Sequence, residues 1–166
     1  MSYYVEYSGE LKPDKPFSED LVKFLNMFGE VRHMQRSNDK IKQIFPNWKE
    51  LCYKGNLGED GKYFVSGTGY RGQGEDDSVI DYNTPPYDQP SVWCDWKVSD
   101  DGNIAWNGSE KEHNNVAWLE YIIKHFIAPE GYVLNGILEY QGEDPDDYGQ
   151  IIVQNNTVIC SPAYAP

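Results

Sequence analysis

The chain has few cysteines, too few cations for its acids, and no long apolar run, and each shortage removes a class of function. Its three cysteines, Cys52, Cys94 and Cys160, form no CxxC pair and no even-numbered framework, which argues against a disulfide-stapled fold and fits a reducing compartment. No apolar stretch approaches the ~20 residues needed to span a bilayer. Residues 1–6 also lack a basic region followed by an apolar one, so neither secretion nor membrane insertion is expected. Only 14 Lys and Arg stand against 27 Asp and Glu in 166 residues, a formal net charge of −13. Binding phosphate requires cations to displace its counterions, so no direct binding of nucleic acid or anionic lipid is expected.

Catalytic signatures are equally scarce. His33, His113 and His125 sit in no HExxH or HxH pattern and beside no cysteine at ligand spacing, so no metal site and no cofactor is expected. Glu112-His113-Asn114-Asn115 carries a fragment of an HNH nuclease pattern without the rest of it. His125, near a predicted helix end, suits the helix dipole. Gly67-Thr68-Gly69-Tyr70-Arg71-Gly72 spells GxGxxG, but it leads into an acidic Gly/Pro-rich loop where a dinucleotide site needs a helix N-terminus. Cys94 alternates onto a face with Val92 and Trp96, which marks it as a small core residue and not a nucleophile.

What remains is enough apolar surface for a core (39% of residues, 14% aromatic) and a strongly uneven charge. Nine Lys and Arg face eight Asp and Glu in residues 1–56, a net of +1; five face nineteen in residues 57–166, a net of −14. One compact domain over 1–160 is expected, with 161–166 as an extended tail. Period-two alternation predicts strands over 3–11, 62–67, 92–98, 104–106, 132–140, 150–154 and 157–160. Ser18 followed by Leu21, Phe24, Leu25 and Phe28 predicts a helix over 19–28 capped by Gly29. Val116, Leu119, Ile122, Ile123 and Phe126 mark a second helix, begun by a Ser109–Glu112 capping box or by Asn114 or Asn115, and ending before Pro129 and Gly131. Short helical turns fit 41–45 and 48–52, and 69–90 reads as a long surface loop. Tyr63–Gly67 before Gly74-Glu75-Asp76-Asp77 faintly echoes Tyr132–Gly136 before Gly142-Glu143-Asp144, as a repeated strand-to-turn unit or by chance. Hairpin turns and the lack of βαβ alternation give an α+β fold, a mainly antiparallel sheet with two principal helices on one face. Trp96, Trp106, Leu119, Phe126 and Leu134 should share its core.

Three segments, Val92-Trp93-Cys94-Asp95-Trp96, Trp118-Leu119-Glu120-Tyr121 and Gly131-Tyr132-Val133-Leu134-Asn135-Gly136, lead to the run Gly142-Glu143-Asp144-Pro145-Asp146-Asp147. Together they resemble a group of small, uncharacterised phage- and prophage-encoded proteins, over just more than a third of the chain. The resemblance implies a phage or mobile-element origin and the host cytoplasm. It brings no activity, cofactor or catalytic residue with it.

Three functions are compatible with these residues. The first is a non-enzymatic protein that binds a host protein with a basic surface, a defence component for example, and inhibits or modulates it. Its interaction surface would be acidic: Glu75, Asp76, Asp77, Asp100, Asp101, Glu143, Asp144, Asp146 and Asp147. If these turns form one patch, DNA mimicry gains weight. The second is a carboxylate-based hydrolase, although carboxylates in solvated turns keep ordinary pKa values. The third is a small-ligand or sugar-binding module using Tyr, Trp and the long loop. The missing catalytic constellations favour the first by elimination.

Overall fold

A computed structural model describes residues 3–109 and 111–162, and the fold is α+β with a dominant antiparallel sheet. Where the sequence suggested one domain over 1–160, the chain gathers into two compact units, Met1–Val22 with Asp95–Pro166, and Lys23–Cys94.

The first unit is built on β1 (Val5–Ser8), β2 (Leu11–Pro13), β5 (Trp96–Val98), β6 (Ile104–Trp106), β7 (Leu134–Gly142), β8 (Tyr148–Gln154) and β9 (Thr157–Pro162). Their order is β5-β6-β2-β7-β8-β9, with β1 also pairing with β7. The single strand expected over 3–11 is two. Gly9, at φ +94°, carries the chain over Ile137 so closely that a Cβ would lie 2.8 Å from the Ile137 carbonyl. The two halves then share β7: Leu11 opposite Gly136, Tyr7 opposite Tyr140. Helix α3 (Asn115–Ile122) lies against both β5 and β9, the two ends of the strand order, so the sheet curls round it. Leu119, Ile122, Ile123 and Phe126 are buried as the periodicity predicts, whereas Val116 is only half-buried. A wide turn over Ile123–Ile127 and a tight one over Ala128–Glu130 continue the helix through Pro129, and Gly131, at φ +85°, ends it. Trp96 and Leu134 join this core, but Trp106 is only half-buried, edge-on to Tyr7 at 5.7 Å. Ser161 and Pro162, expected in the tail, pair with Gln150 and Gly149, and residues 163–166 lie outside the described part.

The second unit has little regular structure. Helix α1 (Glu19–Phe28) enters it from the first, with the Ser18 hydroxyl accepting from Leu21 N at 3.2 Å as predicted. Gly29 follows without the positive φ expected of a cap. Then come β3 (Gln35–Arg36), α2 (Asn38–Ile44), short turns such as Trp48–Leu51, and β4 (Val79–Asp81), which pairs with β3 inside the expected loop. No strand forms over 62–67: Tyr63, Phe64 and Val65 donate to Leu57, Gly61 and Leu51, partners that belong to turns. The echo with 132–136 is therefore not structural. Residues 92–95 are likewise irregular, and only 96–98 pair. Ile41, Cys52, Leu57 and Phe64 form a small core flanked by Phe45, Trp48 and Leu51.

Candidate functional site

The nine carboxylates proposed as an interaction surface fall into three places. Glu75, Asp76 and Asp77 belong to the second unit, the other six to the first. Asp76 is not a surface acid at all. It accepts from the buried Arg36 guanidinium at 3.3 Å and from Ser78 N at 2.9 Å, and the Ser78 hydroxyl also donates to it. Burial works against the Asp76 charge, but Ser78 and Arg36 outweigh it and hold the carboxyl below its usual range.

In the sheet unit, Asp100 and Asp101 are exposed on the β5–β6 hairpin, and Glu143, Asp144, Asp146 and Asp147 lie on the β7–β8 turn. Ile104 pairs with Leu11 and Leu11 with Gly136, so the first hairpin sits level with the start of β7. The second follows its end at Gly142. Six residues of strand separate them, about 20 Å. They do not form one patch, and the dense charge array that DNA mimicry would need is absent from this sheet among the described residues.

The β7–β8 turn is tightly ordered. Tyr3 donates its hydroxyl to Asp147, Tyr4 N donates to Glu143 at 2.8 Å, and Glu143 N returns a bond to Tyr4 O at 3.0 Å. Asp146 N donates to Asp144 at 3.0 Å, and the Gln141 amide reaches the carbonyls of Gly142, Asp144 and Asp147. A Cβ on Gly142 would meet the side-chain ends of Asp147 and Tyr3, which would have to swing aside and give up their bond to each other. The bond to Asp147, then burial, raises the Tyr3 pKa. Glu143 and Asp147 thus hold the turn, while the Asp146 carboxylate points to solvent with Glu6, on neighbouring β1 opposite Gln141.

A second constellation, at the start of α3, was missed. Alternation over the expected strand 92–98 would put Asp95 on the face opposite Cys94 and Trp96, but β5 begins only at Trp96 and Asp95 is 2% exposed. Its Oδ2 lies 2.7 Å from His113 Nδ1. Next to it, Glu112 accepts from the Tyr7 hydroxyl at 2.8 Å and from Asn115 N at 2.7 Å, tying the helix start to β1. Glu112 therefore caps α3, in place of Asn114, whose side chain makes no capping bond at φ +63°. Burial, followed by the Glu112 charge, pushes the Tyr7 hydroxyl far above its usual range. The contact holds the His113 ring by Nδ1 against the Asp95 carboxylate, which fixes the orientation of the imidazole. The strand phase and the 18-residue separation of His113 from Asp95 together hid it.

A groove of about 530 Å³ runs beside Tyr7 and Trp106 and over Glu139, Tyr148 and Ser161. Cys52 and Cys94 are buried, and Cys160 is exposed on β9. Burial raises the Cys52 pKa, which keeps it a thiol. Among the described residues no group of His, Cys, Asp and Glu is arranged to hold a metal ion, and no helix is long and apolar enough to cross a membrane. Comparison with protein-family models, curated proteins and solved structures finds no match.

Proposed function

We propose that the chain is a non-enzymatic acidic protein, of phage or mobile-element origin, that binds a host cytoplasmic protein with a basic surface and modulates it. The observation that supports this is the β7–β8 turn: Tyr3, Tyr4 and Gln141 hold its main chain and the Asp147 and Glu143 carboxylates, which fixes the backbone from which exposed Asp146 projects, with exposed Glu6 on the neighbouring β1. The sheet unit around it holds seventeen Asp and Glu against five Lys and Arg. Rim charges of this kind chiefly speed association and suppress wrong partners. The separation of the two hairpins favours docking at one end over DNA mimicry.

The test is capture from host lysate by the wild type and by a Glu6→Lys, Asp146→Lys variant. Capture that the wild type loses at high salt, and the variant loses at low salt, supports the reading. Equal capture by both would sink it.

The His113–Asp95 pair supports a second reading, a hydrolase using His113 as general base. Under that reading His113→Ala abolishes activity in a folded protein and the charge reversal leaves it intact.

A further inference from the structure

The two edges of the sheet are unlike. At one, β5 is three residues long, and exposed Lys97 stands at its middle, the short and charged kind of edge that resists pairing. At the other, β9 offers six residues, and the fifteen residues from Tyr148 to Pro162 contain no Asp, Glu, Lys or Arg in a chain that is 25% charged. Asn155 and Asn156, both at positive φ, form the two-residue turn of the β8–β9 hairpin. In such a hairpin the flanking pair, Gln154 and Thr157, exchanges both backbone bonds. Alternation then turns the N–H and C=O groups of Val158 and Cys160 outward, and Pro162 closes the row because it has no N–H.

On the sheet face away from α3, Ile137 is opposite Ile152 and Ile152 opposite Ile159, a row with Ile137 51% and Ile159 46% exposed. We infer that β9 pairs antiparallel with β9 of a second copy of this chain, about a two-fold axis at Ile159. That register is self-complementary. Val158 and the copy's Cys160 exchange backbone bonds, and Thr157 faces the copy's Ser161. The isoleucine row continues unbroken into its image. A molecule of charge −13 repels its copies, and this uncharged edge is where two approach with least opposition.

The opposed Ile159 residues form a non-hydrogen-bonded pair, the closer kind, with Cα atoms ~4.5 Å apart and within disulfide reach. Cys160 faces Val158 of the copy and the other side of the sheet. Sedimentation of the full chain over a concentration series should therefore show a dimer that tightens with added salt, the opposite of binding to a basic partner. Ile159→Lys should raise the dimer Kd at least tenfold with unchanged circular dichroism. Mild oxidation should cross-link an Ile159→Cys, Cys160→Ser variant and not the wild type. A wild type monomeric up to about 100 µM, or a dimer indifferent to Ile159→Lys, would overturn the inference. So would pairing of this edge only with a strand of another protein.

Discussion

The two units hold nearly equal numbers of titratable cations and acids in one case and very unequal numbers in the other, and their charges do different work. In Lys23–Cys94, nine Lys and Arg meet ten Asp and Glu. Its cations lie over rings: Arg32 over Tyr82 at 3.9 Å, Arg71 over Trp93 at 4.5 Å, Lys42 over Trp48 at 4.9 Å. Arg36 is buried against Asp76 and Ser78. With only one short helix of its own and a two-residue ladder, this unit uses its charges to hold its shape. The sheet unit has a seven-strand ladder and an apolar core for that purpose, and its surplus acid is left at the surface. In the sheet unit Asp95, Glu112, Glu143 and Asp147 are tied into the structure, but acids such as Asp146 and Glu6 are left exposed beyond what the fold needs.

The sharpest way to break this contrast is to remove core from the sheet unit. Phe126→Ala or Trp96→Ala should cost ~3–5 kcal/mol, since both side chains are buried and Trp96 also donates to Asn115 O at 2.8 Å. Urea unfolding measures it, and a loss under ~1 kcal/mol would refute the core assignment. In the second unit Asp76→Asn should cost about 3 kcal/mol, because it leaves Arg36 buried without its counter-charge.

Acid gives a comparable effect. Burial drives the pKa of His33 down to about 4 from its ordinary 6.5, while its Nε2 donates to Phe28 O at 2.8 Å. Its neutral form is the folded one, so the unfolded chain binds the proton more readily. Stability should be insensitive to His33 above pH 6.5 and fall by about 3 kcal/mol in total as pH drops to 4. A pH series of urea midpoints, compared with His33→Gln, isolates that slope. Gly142→Ala should cost about 1 kcal/mol by displacing the Tyr3–Asp147 bond, visible as loss of turn protection in hydrogen exchange. The smallest effect belongs to Glu6→Lys with Asp146→Lys, which should alter stability by no more than ~0.5 kcal/mol.

Periodic elements were legible: the Leu21–Phe28 stripe that leads into the second unit, and in the sheet unit the Leu119–Phe126 stripe and the two β-hairpins, appear where alternation and turn residues placed them. In the second unit the helical turns expected at 41–45 and 48–52 are found close to those places, but the strand over 62–67 is not, because Phe64 and Val65 are buried by backbone bonds to turns, which leave no period. Burial of Asp95 was invisible for a related reason. It precedes its strand, so alternation assigned it to the wrong side, and its partner His113 comes from a different element. The acidic turn was found as a cluster of residues, but its order was not. That order depends on Tyr3 and Tyr4, nearly the whole chain away. Asp76 looked like its acidic neighbours and differed only in facing Arg36.

The contrast between structural and free charge is tested most directly by neutralising one acid of each kind at constant shape, with urea unfolding of Asp76→Asn and Asp146→Asn under the same conditions. The account predicts a loss of about 3 kcal/mol for the first and no more than ~0.5 kcal/mol for the second. Equal losses, or a stable Asp76→Asn beside a destabilised Asp146→Asn, would contradict it.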